Sequence, residues 1–351
     1  MAEDKIGIGI IGSGGIARGA HLPGYRALSD RGVEVVAVAD AIADAAHRAA
    51  AEFQVPHVFT DYREMLRRDD IHAVSVCTPN FLHKQPTLDA LEAGKHVLVE
   101  KPLAINAAEG KEMVQTARRC ARKLQVGFMT RFQSDSRALK RFIDAGEMGE
   151  IYFARAQALR RRGIPSWGVF TQKDKQGGGP LIDIGVHICD LTLWLMGHPK
   201  PIAASGQTYC KFGKRDDILG LMGQWDHTQF TVEDFAVGLI RFDNGATMVL
   251  EAAFASNQEE RNLMKTQLYG TEGGCSTDPL RMYFERHGTL VDATPRFLPD
   301  VRAYNEEIRA FINAIREDTE VPVTGEQALM TTQILDAIYA SSEAGAEVRI
   351  T

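Results

Sequence analysis

The chain of 351 residues exceeds what one hydrophobic core usually supports, so two domains are expected. Its composition, 44% hydrophobic and 25% charged, excludes disordered and collagen-like classes. A formal net charge of -6, with Arg160, Arg161 and Arg162 as the densest basic cluster, argues against nucleic acid as a partner.

Met1 to Lys5 run straight into an apolar strand without a signal-peptide pattern, and no stretch is long enough to span a membrane. A cytoplasmic protein is therefore expected. The five cysteines, Cys77, Cys120, Cys189, Cys210 and Cys275, are dispersed and form no C-x-x-C pair. They read as reduced packing residues.

From Lys5 to Gly127 short β-branched runs alternate with amphipathic stretches, the pattern of a parallel sheet wrapped by helices. Strands are expected at Ile6 to Ile11, Val33 to Ala39, Ala73 to Cys77, His96 to Val99 and Leu124 to Gly127. One helix is expected from Pro86 to Gly94, and another after the Asn106 and Glu109 capping pair, ending near Lys123. Beyond Arg131 the rhythm changes. A helix is predicted over Ser134 to Ala145, followed by strands at Ile151 to Leu159, Phe235 to Phe242, Ala246 to Phe254 and Lys265 to Tyr269. Asn244-Gly245 marks a hairpin because such a pair readily supplies positive φ angles. Helices from Ala303 to Arg316 and Glu326 to Ala344 close the chain. The fold class is thus an α/β Rossmann dinucleotide-binding domain, residues 1–127, followed by an α+β domain with a large, mainly antiparallel open sheet, residues 128–351.

Four constellations carry chemistry. Gly12-Ser13-Gly14-Gly15-Ile16-Ala17 follows the first strand and opens a helix. Glycine permits a tight turn and close backbone approach, so a pyrophosphate can rest on the N–H groups at the helix start. Asp40 ends the second strand, where a carboxylate accepts ribose hydroxyls and repels a 2′-phosphate, favouring NAD over NADP. The same residue also suits a helix N-cap. Glu100-Lys101-Pro102 ends the strand that starts at His96. The Lys101 ammonium there is either a surface charge or a group that stabilises developing negative charge on a substrate oxygen. In the fourth, Gly177-Gly178-Gly179-Pro180 leads into an apolar helix bearing Asp183, His187 and Asp190 on one face. Such a stripe serves catalysis, structural hydrogen bonding or, least readily, metal binding, since no further His or Cys ligand has a suitable spacing.

With these motifs, the chain resembles the glucose-fructose oxidoreductase and inositol dehydrogenase (Gfo/Idh/MocA) superfamily over nearly its whole length. Cys77-Thr78-Pro79-Asn80 with His83, Ala93-Gly94-Lys95-His96, Gly127-Phe128 with Arg131-Phe132, and Gly270-Thr271-Glu272-Gly273 add to the likeness. The resemblance implies that Lys101, Asp183 and His187 are catalytic. It also implies that Thr78, Pro79, Asn80, His83, Glu100 and Arg131 line the cofactor cleft, and that Trp167, in Pro165-Ser166-Trp167, contacts the nicotinamide or merely packs. Met129 departs from relatives that carry a polar residue there, so no substrate role is carried over to it.

The implied activity is NAD-dependent interconversion of a secondary hydroxyl and a ketone on a sugar, glycoside or cyclitol. His187 is the expected general base, Asp183 orients it, and Lys101 polarises the oxygen. An NAD-dependent glycoside hydrolase and a non-catalytic dinucleotide sensor are the alternatives. A homodimer or homotetramer is expected, because Met248, Leu250 and Phe254 lie on one side of their strand and Val249 on the other, leaving neither sheet face wholly polar.

Overall fold

The computed structural model describes residues 5–351. They form two compact units: the residues up to Phe132 together with Val301–Leu329, and Gln133–Asp300 together with Met330–Thr351.

In the first unit, β1 (Ile6–Ile11), β2 (Val33–Ala39), β3 (His57–Phe59), β4 (Ala73–Val76), β5 (His96–Glu100) and β6 (Leu124–Gly127) form one parallel sheet in the order β3-β2-β1-β4-β5-β6. Strands β1, β4 and β6 are buried along their whole length. Helices on both faces explain why these strands read as continuous apolar runs rather than alternating ones. The three half-buried residues of β3 give no such signal, and this edge strand was not expected from the sequence.

Local chemistry sets the helix ends. The Asn106 side chain accepts the Glu109 N–H at 2.9 Å and starts the helix Ala107–Arg119. The helix Lys84–Glu92 begins two residues before Pro86, which sits in its first turn where a missing N–H costs little. By chain order the helix Ala303–Arg316 was grouped with the second sheet, yet it packs on the first unit. Its Ile308, Phe311 and Ile312 share a core with Ile8, Ile10, Tyr25 and Val38. Gly24 permits the approach, because a Cβ there would lie 2.3 Å from Ile308 Cδ1.

The second unit holds β7 (Ile151–Arg160), β8 (Pro201–Tyr209), β9 (Phe235–Phe242), β10 (Thr247–Ala253), β11 (Asn262–Gly270), β12 (Gly273–Thr277), β13 (Leu280–Arg286), β14 (Thr289–Ala293) and β15 (Val348–Arg349). Their order is β14-β13-β12-β11-β7-β10-β9-β8-β15. Every pairing is antiparallel except that of β7 with β10. At the β9–β10 hairpin the Gly245 N–H reaches Phe242 O at 3.2 Å, and Gly245 has φ +87°. Asn244 does not share the positive φ. Its side chain instead accepts the Ala246 N–H at 3.1 Å, so the pair forms a turn followed by one positive-φ glycine.

One face of this sheet is lined by small or apolar residues, including Ala154, Ala156, Met248, Leu250 and Ala252, all buried. Gly206 and Gly238 pair across β8 and β9, and both give way to Ile338 of the C-terminal helix. On the other face Phe153, Tyr269 and Tyr283 stand in cross-strand register through Gly274. The Phe153 and Tyr269 ring centroids are 5.3 Å apart. Among the described residues, no helix is long and apolar enough to cross a membrane. All five cysteines are free; Cys77, Cys189 and Cys275 are buried, whereas Cys210, against the expectation of a packing role, is exposed.

Candidate active site

The turn after β1 lies where the sheet order reverses between β1 and β4, the place where open parallel sheets bind ligands. Gly12 has φ +86°, and a Cβ on it would lie 2.8 Å from Cys77 O, so only glycine fits. A Cβ on Gly14 or Gly15 would meet nothing within 4 Å, so the backbone at these two exposed residues is open to a ligand. Ser13 is buried, and Ile16 and Ala17 continue into a helix that contains a π-helical segment, Ala17–His21. The Asp40 carboxylate fastens the turn to the end of β2. Its Oδ2 accepts the Ser13 N–H at 2.8 Å and the Ser13 hydroxyl at 2.9 Å, while Oδ1 accepts the Ile42 N–H at 2.9 Å. The half-buried Asp40 side chain thus fastens the glycine turn to the strand end, but it is not the expected N-cap: the next helix, Ala43–Phe53, is capped at Ile42 without a side-chain bond, and Asp40 reaches only the N–H of that cap residue. An open glycine backbone beside a helix start, with a carboxylate at the adjacent strand end, fits the pyrophosphate and ribose of a dinucleotide.

At the end of β5, Glu100 is buried and Lys101 half-buried, and the Lys101–Pro102 peptide is cis. His21, which sequence reasoning passed over, lies fully buried against this strand end. Its Nε2 is 2.8 Å from Glu100 Oε1 and its Nδ1 is 3.0 Å from Ser75 Oγ. Burial works against an imidazolium, but the Glu100 carboxylate paired with Nε2 favours it, and the His21 pKa is raised well above the ordinary range. Burial likewise disfavours a charged Glu100, and His21 with Lys101 overcomes it, lowering the Glu100 pKa.

The neighbouring loops are fixed from within. The His83 ring nitrogens lie 2.7 Å from Pro102 O and 2.9 Å from Thr78 O, and burial lowers the pKa of this imidazole. Thr78 donates its hydroxyl to Leu82 O at 3.0 Å, Pro79 is exposed, and Asn80 is buried at the start of the short turn Asn80–Leu82. Arg131 is buried and donates to Gln327 Oε1 at 2.6 Å and to Pro322 O at 3.3 Å. Met129, in the same short turn, is half-buried.

In the second unit, Asp183 is buried in a second π-helical segment, Leu181–Gly185, which runs into the helix Val186–Leu195 carrying the half-buried His187 and the buried Asp190. Single π turns within helices recur at functional sites. Glu233, also unforeseen, holds the entry to this helix. Its carboxylate accepts the Gly179 N–H at 2.9 Å, the Leu181 N–H at 3.2 Å and the Tyr339 hydroxyl at 2.8 Å. Burial raises its pKa. The glycines make room for these groups, since a Cβ on Gly179 would lie 2.2 Å from Glu233 O and one on Gly178 would lie 2.0 Å from the Tyr339 hydroxyl. Arg160, at the end of β7, brings Nη1 to 3.8 Å from Asp183 Oδ2 and donates to Gly163 O at 3.2 Å. Burial lowers the Arg160 pKa, and Asp183 opposes that effect. Trp167 is 54% exposed, with Phe170 at its edge and ring centroids 6.3 Å apart.

His21 and Glu233 escaped the sequence reading because their partners lie far along the chain. The available signal was titratable residues set between apolar ones, a single one in Gly19-Ala20-His21-Leu22 and an adjacent pair in Val232-Glu233-Asp234-Phe235.

Comparison with known proteins agrees with this geometry. Residues 6–128 match the family model described as an oxidoreductase family with an NAD-binding Rossmann fold, and residues 136–276 match that of the GFO/IDH/MocA C-terminal domain. The D-glucoside 3-dehydrogenase of Escherichia coli K12 is 36% identical over 350 residues, covering 100% of this chain and 99% of that protein. The scyllo-inositol 2-dehydrogenase (NAD(+)) of Bacillus subtilis is 28% identical over 327 residues, 91% of this chain and 89% of its own. A solved levoglucosan dehydrogenase, in complex with NADH and L-sorbose, matches with a TM-score of 0.87 at 25% identity and 99% coverage of each chain. The chain belongs to the GFO/IDH/MocA family of NAD-binding oxidoreductases.

Proposed function

We propose that the protein interconverts a secondary hydroxyl and its ketone on a sugar, glycoside or cyclitol with NAD as cofactor. The full-length similarity to a D-glucoside 3-dehydrogenase carries this reading. Relatives named for levoglucosan and inositol point to the same class of ring polyol.

Bound NAD supplies the two-electron acceptor for the carbinol hydrogen. In the oxidative direction His187 takes the hydroxyl proton on an imidazole nitrogen, Asp183 orients the ring and stabilises its charge, and Lys101 polarises the hydroxyl oxygen. The roles reverse in reduction. The glycine turn from Gly12 to Ala17 seats the pyrophosphate, and Asp40 takes the ribose hydroxyls. Thr78, Pro79, Asn80, His83, Glu100 and Arg131 shape the cofactor cleft, and Trp167 covers the nicotinamide. Phe153, Tyr269 and Tyr283 on the open sheet face support a homodimer or homotetramer, which light scattering at micromolar concentration would detect. Free thiols suit a reducing cytoplasm.

The deciding experiment offers glycosides, free sugars and inositols together with NAD and records both NADH and free sugar. NADH accumulation with one of these substrates is expected. Release of free sugar without NADH would instead indicate an NAD-dependent hydrolase, and no turnover on any of them a dinucleotide sensor.

A further inference from the structure

His21 is a buried titratable group that the proposed chemistry does not use. It sits in the π-helical segment Ala17–His21, directly behind the dinucleotide turn, with no exposed surface. Its two ring nitrogens reach two different strands: Nδ1 meets Ser75 Oγ of β4 at 3.0 Å, and Nε2 meets Glu100 Oε1 of β5 at 2.8 Å. Ser75 in turn lies 2.8 Å from the hydroxyl of Tyr25, itself fully buried. The second Glu100 oxygen accepts the backbone N–H of Lys101 at 3.2 Å. One unbroken hydrogen-bonded path therefore joins Tyr25, Ser75, His21 and Glu100 to the peptide group of Lys101.

The charges along that path form a simple set. Tyr25 and Tyr304 stay neutral because burial raises both their pKa values, and burial raises that of the Cys77 thiol as well. Glu307 acts electrostatically on both tyrosines from the returning helix. Burial lowers the pKa of His83, which Glu100 also influences electrostatically. Two cations act on Glu100, His21 and Lys101; the His21 ring is hydrogen-bonded to its carboxylate, and Lys101 reaches it through the backbone N–H. A buried carboxylate that loses its paired cation must either take up a proton or recruit another positive group. Lys101 is the positive group next to it in the chain.

We infer that His21 is a positioning residue: by pairing with Glu100 it keeps that carboxylate from drawing the Lys101 ammonium away from the substrate oxygen. The inference rests on the reading of Lys101 as a group that touches that oxygen. It extends that reading by assigning a charge-balancing task to a residue outside the cleft.

The test combines one measurement on the unaltered protein with a set of variants. In full-length protein carrying 15N-labelled histidine, the His21 ring nitrogens should show the chemical shifts of an imidazolium above pH 7. A neutral tautomer there overturns the proposal, whatever the variants do. His21→Gln keeps a hydrogen-bonding side chain but removes the charge, and should lower kcat by about tenfold or more with little change in NAD affinity. In a Glu100→Gln background, compared with Glu100→Gln alone at saturating NAD, adding His21→Gln should cost little further kcat, because the carboxylate it balances is gone. A purely structural role predicts that His21→Gln costs as much kcat in that background as in the wild type, and that result overturns the proposal, as does wild-type kcat in His21→Gln. Lys101→Met run in parallel separates the two readings. If it retains full activity, the role of Lys101 fails while the histidine signal still reports the buried pair.

Discussion

At the turn from Gly12 to Gly15, a methyl group added to Gly14 or Gly15 would meet nothing within 4 Å. At the loop from Gly177 to Gly179, the same addition to Gly178 or Gly179 would run into Tyr339 or the Glu233 backbone. Both loops feed a π-helical segment, Ala17–His21 in one unit and Leu181–Gly185 in the other. In the first, the absence of side chains leaves open space, the seat proposed for the pyrophosphate. In the second, the space is filled by the protein's own groups, which brace a helix bearing Asp183 and His187. Glycine-rich sequence by itself therefore distinguishes neither ligand contact nor packing; what occupies the vacated volume does.

The largest effect expected from altering these regions is chemical. His187→Ala should lower turnover by about two to four orders of magnitude, the usual contribution of a positioned acid-base group, while NAD affinity measured by fluorescence titration changes little. Lys101→Ala should also lower turnover, and the double variant should fall by less than the product of the single effects if both groups act on one oxygen. Wild-type turnover in His187→Ala would leave the helix with a structural role only.

The next effect tests the two glycine loops against each other. Gly179→Ala forces a Cβ against a backbone carbonyl and should destabilise the fold by about 1–3 kcal/mol in denaturant unfolding. Gly14→Ala should leave unfolding nearly unchanged and weaken NAD binding by about tenfold, because its Cβ enters the proposed pyrophosphate seat. A reversal of this pattern would break the distinction drawn between the loops.

Asp40→Ser acts on the edge of the first loop. The wild type should prefer NAD to NADP, and the substitution should shrink that preference by removing the charge that opposes a 2′-phosphate. Affinity for NAD should also fall, since Ser13 loses both of its bonds to the carboxylate. Equal affinity of the wild type for the two cofactors would overturn the assignment.

The smallest effect lies at the opposite ends of the parallel strands, where His96 starts β5. Burial, with help from Arg122 and Lys123, pushes the His96 pKa down to about 4 from an ordinary 6.5. Its Nδ1 accepts the Lys123 N–H at 3.1 Å, which requires the neutral ring. The unfolded chain thus takes up this proton more readily than the folded one. The stabilisation is complete above pH 6.5 and is lost as the pH falls towards 4. His96→Gln should make thermal stability less sensitive to pH across that interval, and an unchanged slope would count against it.

How much of this was legible in the sequence depended on the distance between partners. The Asn106 cap lies three residues from Glu109 and was read directly. The strands β1, β2 and β6 were read with their observed bounds: β1 is buried throughout and wholly apolar, and a single polar residue interrupts each of the other two runs, Glu34 in β2 and Gln125 in β6. In β8, Ser205, Gln207 and Thr208 interrupt the apolar residues, and β13 and β14 are largely exposed, so their pairing had no local signature. The glycine turn, Asp40, Lys101 and the Asp183 helix were all visible as motifs. The groups that brace them were not, since His21 meets Glu100 across 79 residues and Glu233 meets Gly179 across 54.

The return of the helix Ala303–Arg316 to the first unit bears on how the protein emerges from the ribosome. Ile308, Phe311 and Ile312 belong to the same core as Ile8, Tyr25 and Val38, yet they are synthesised after every strand of the second sheet except the short β15. The parallel strands can begin to associate early, but the face against Leu22 and Tyr25 stays uncovered until nearly the whole chain has been made. During that interval the nascent protein exposes apolar surface of the kind that chaperones bind. A fragment ending before residue 300, although it contains every strand of the parallel sheet, would carry the same exposed face permanently and should aggregate.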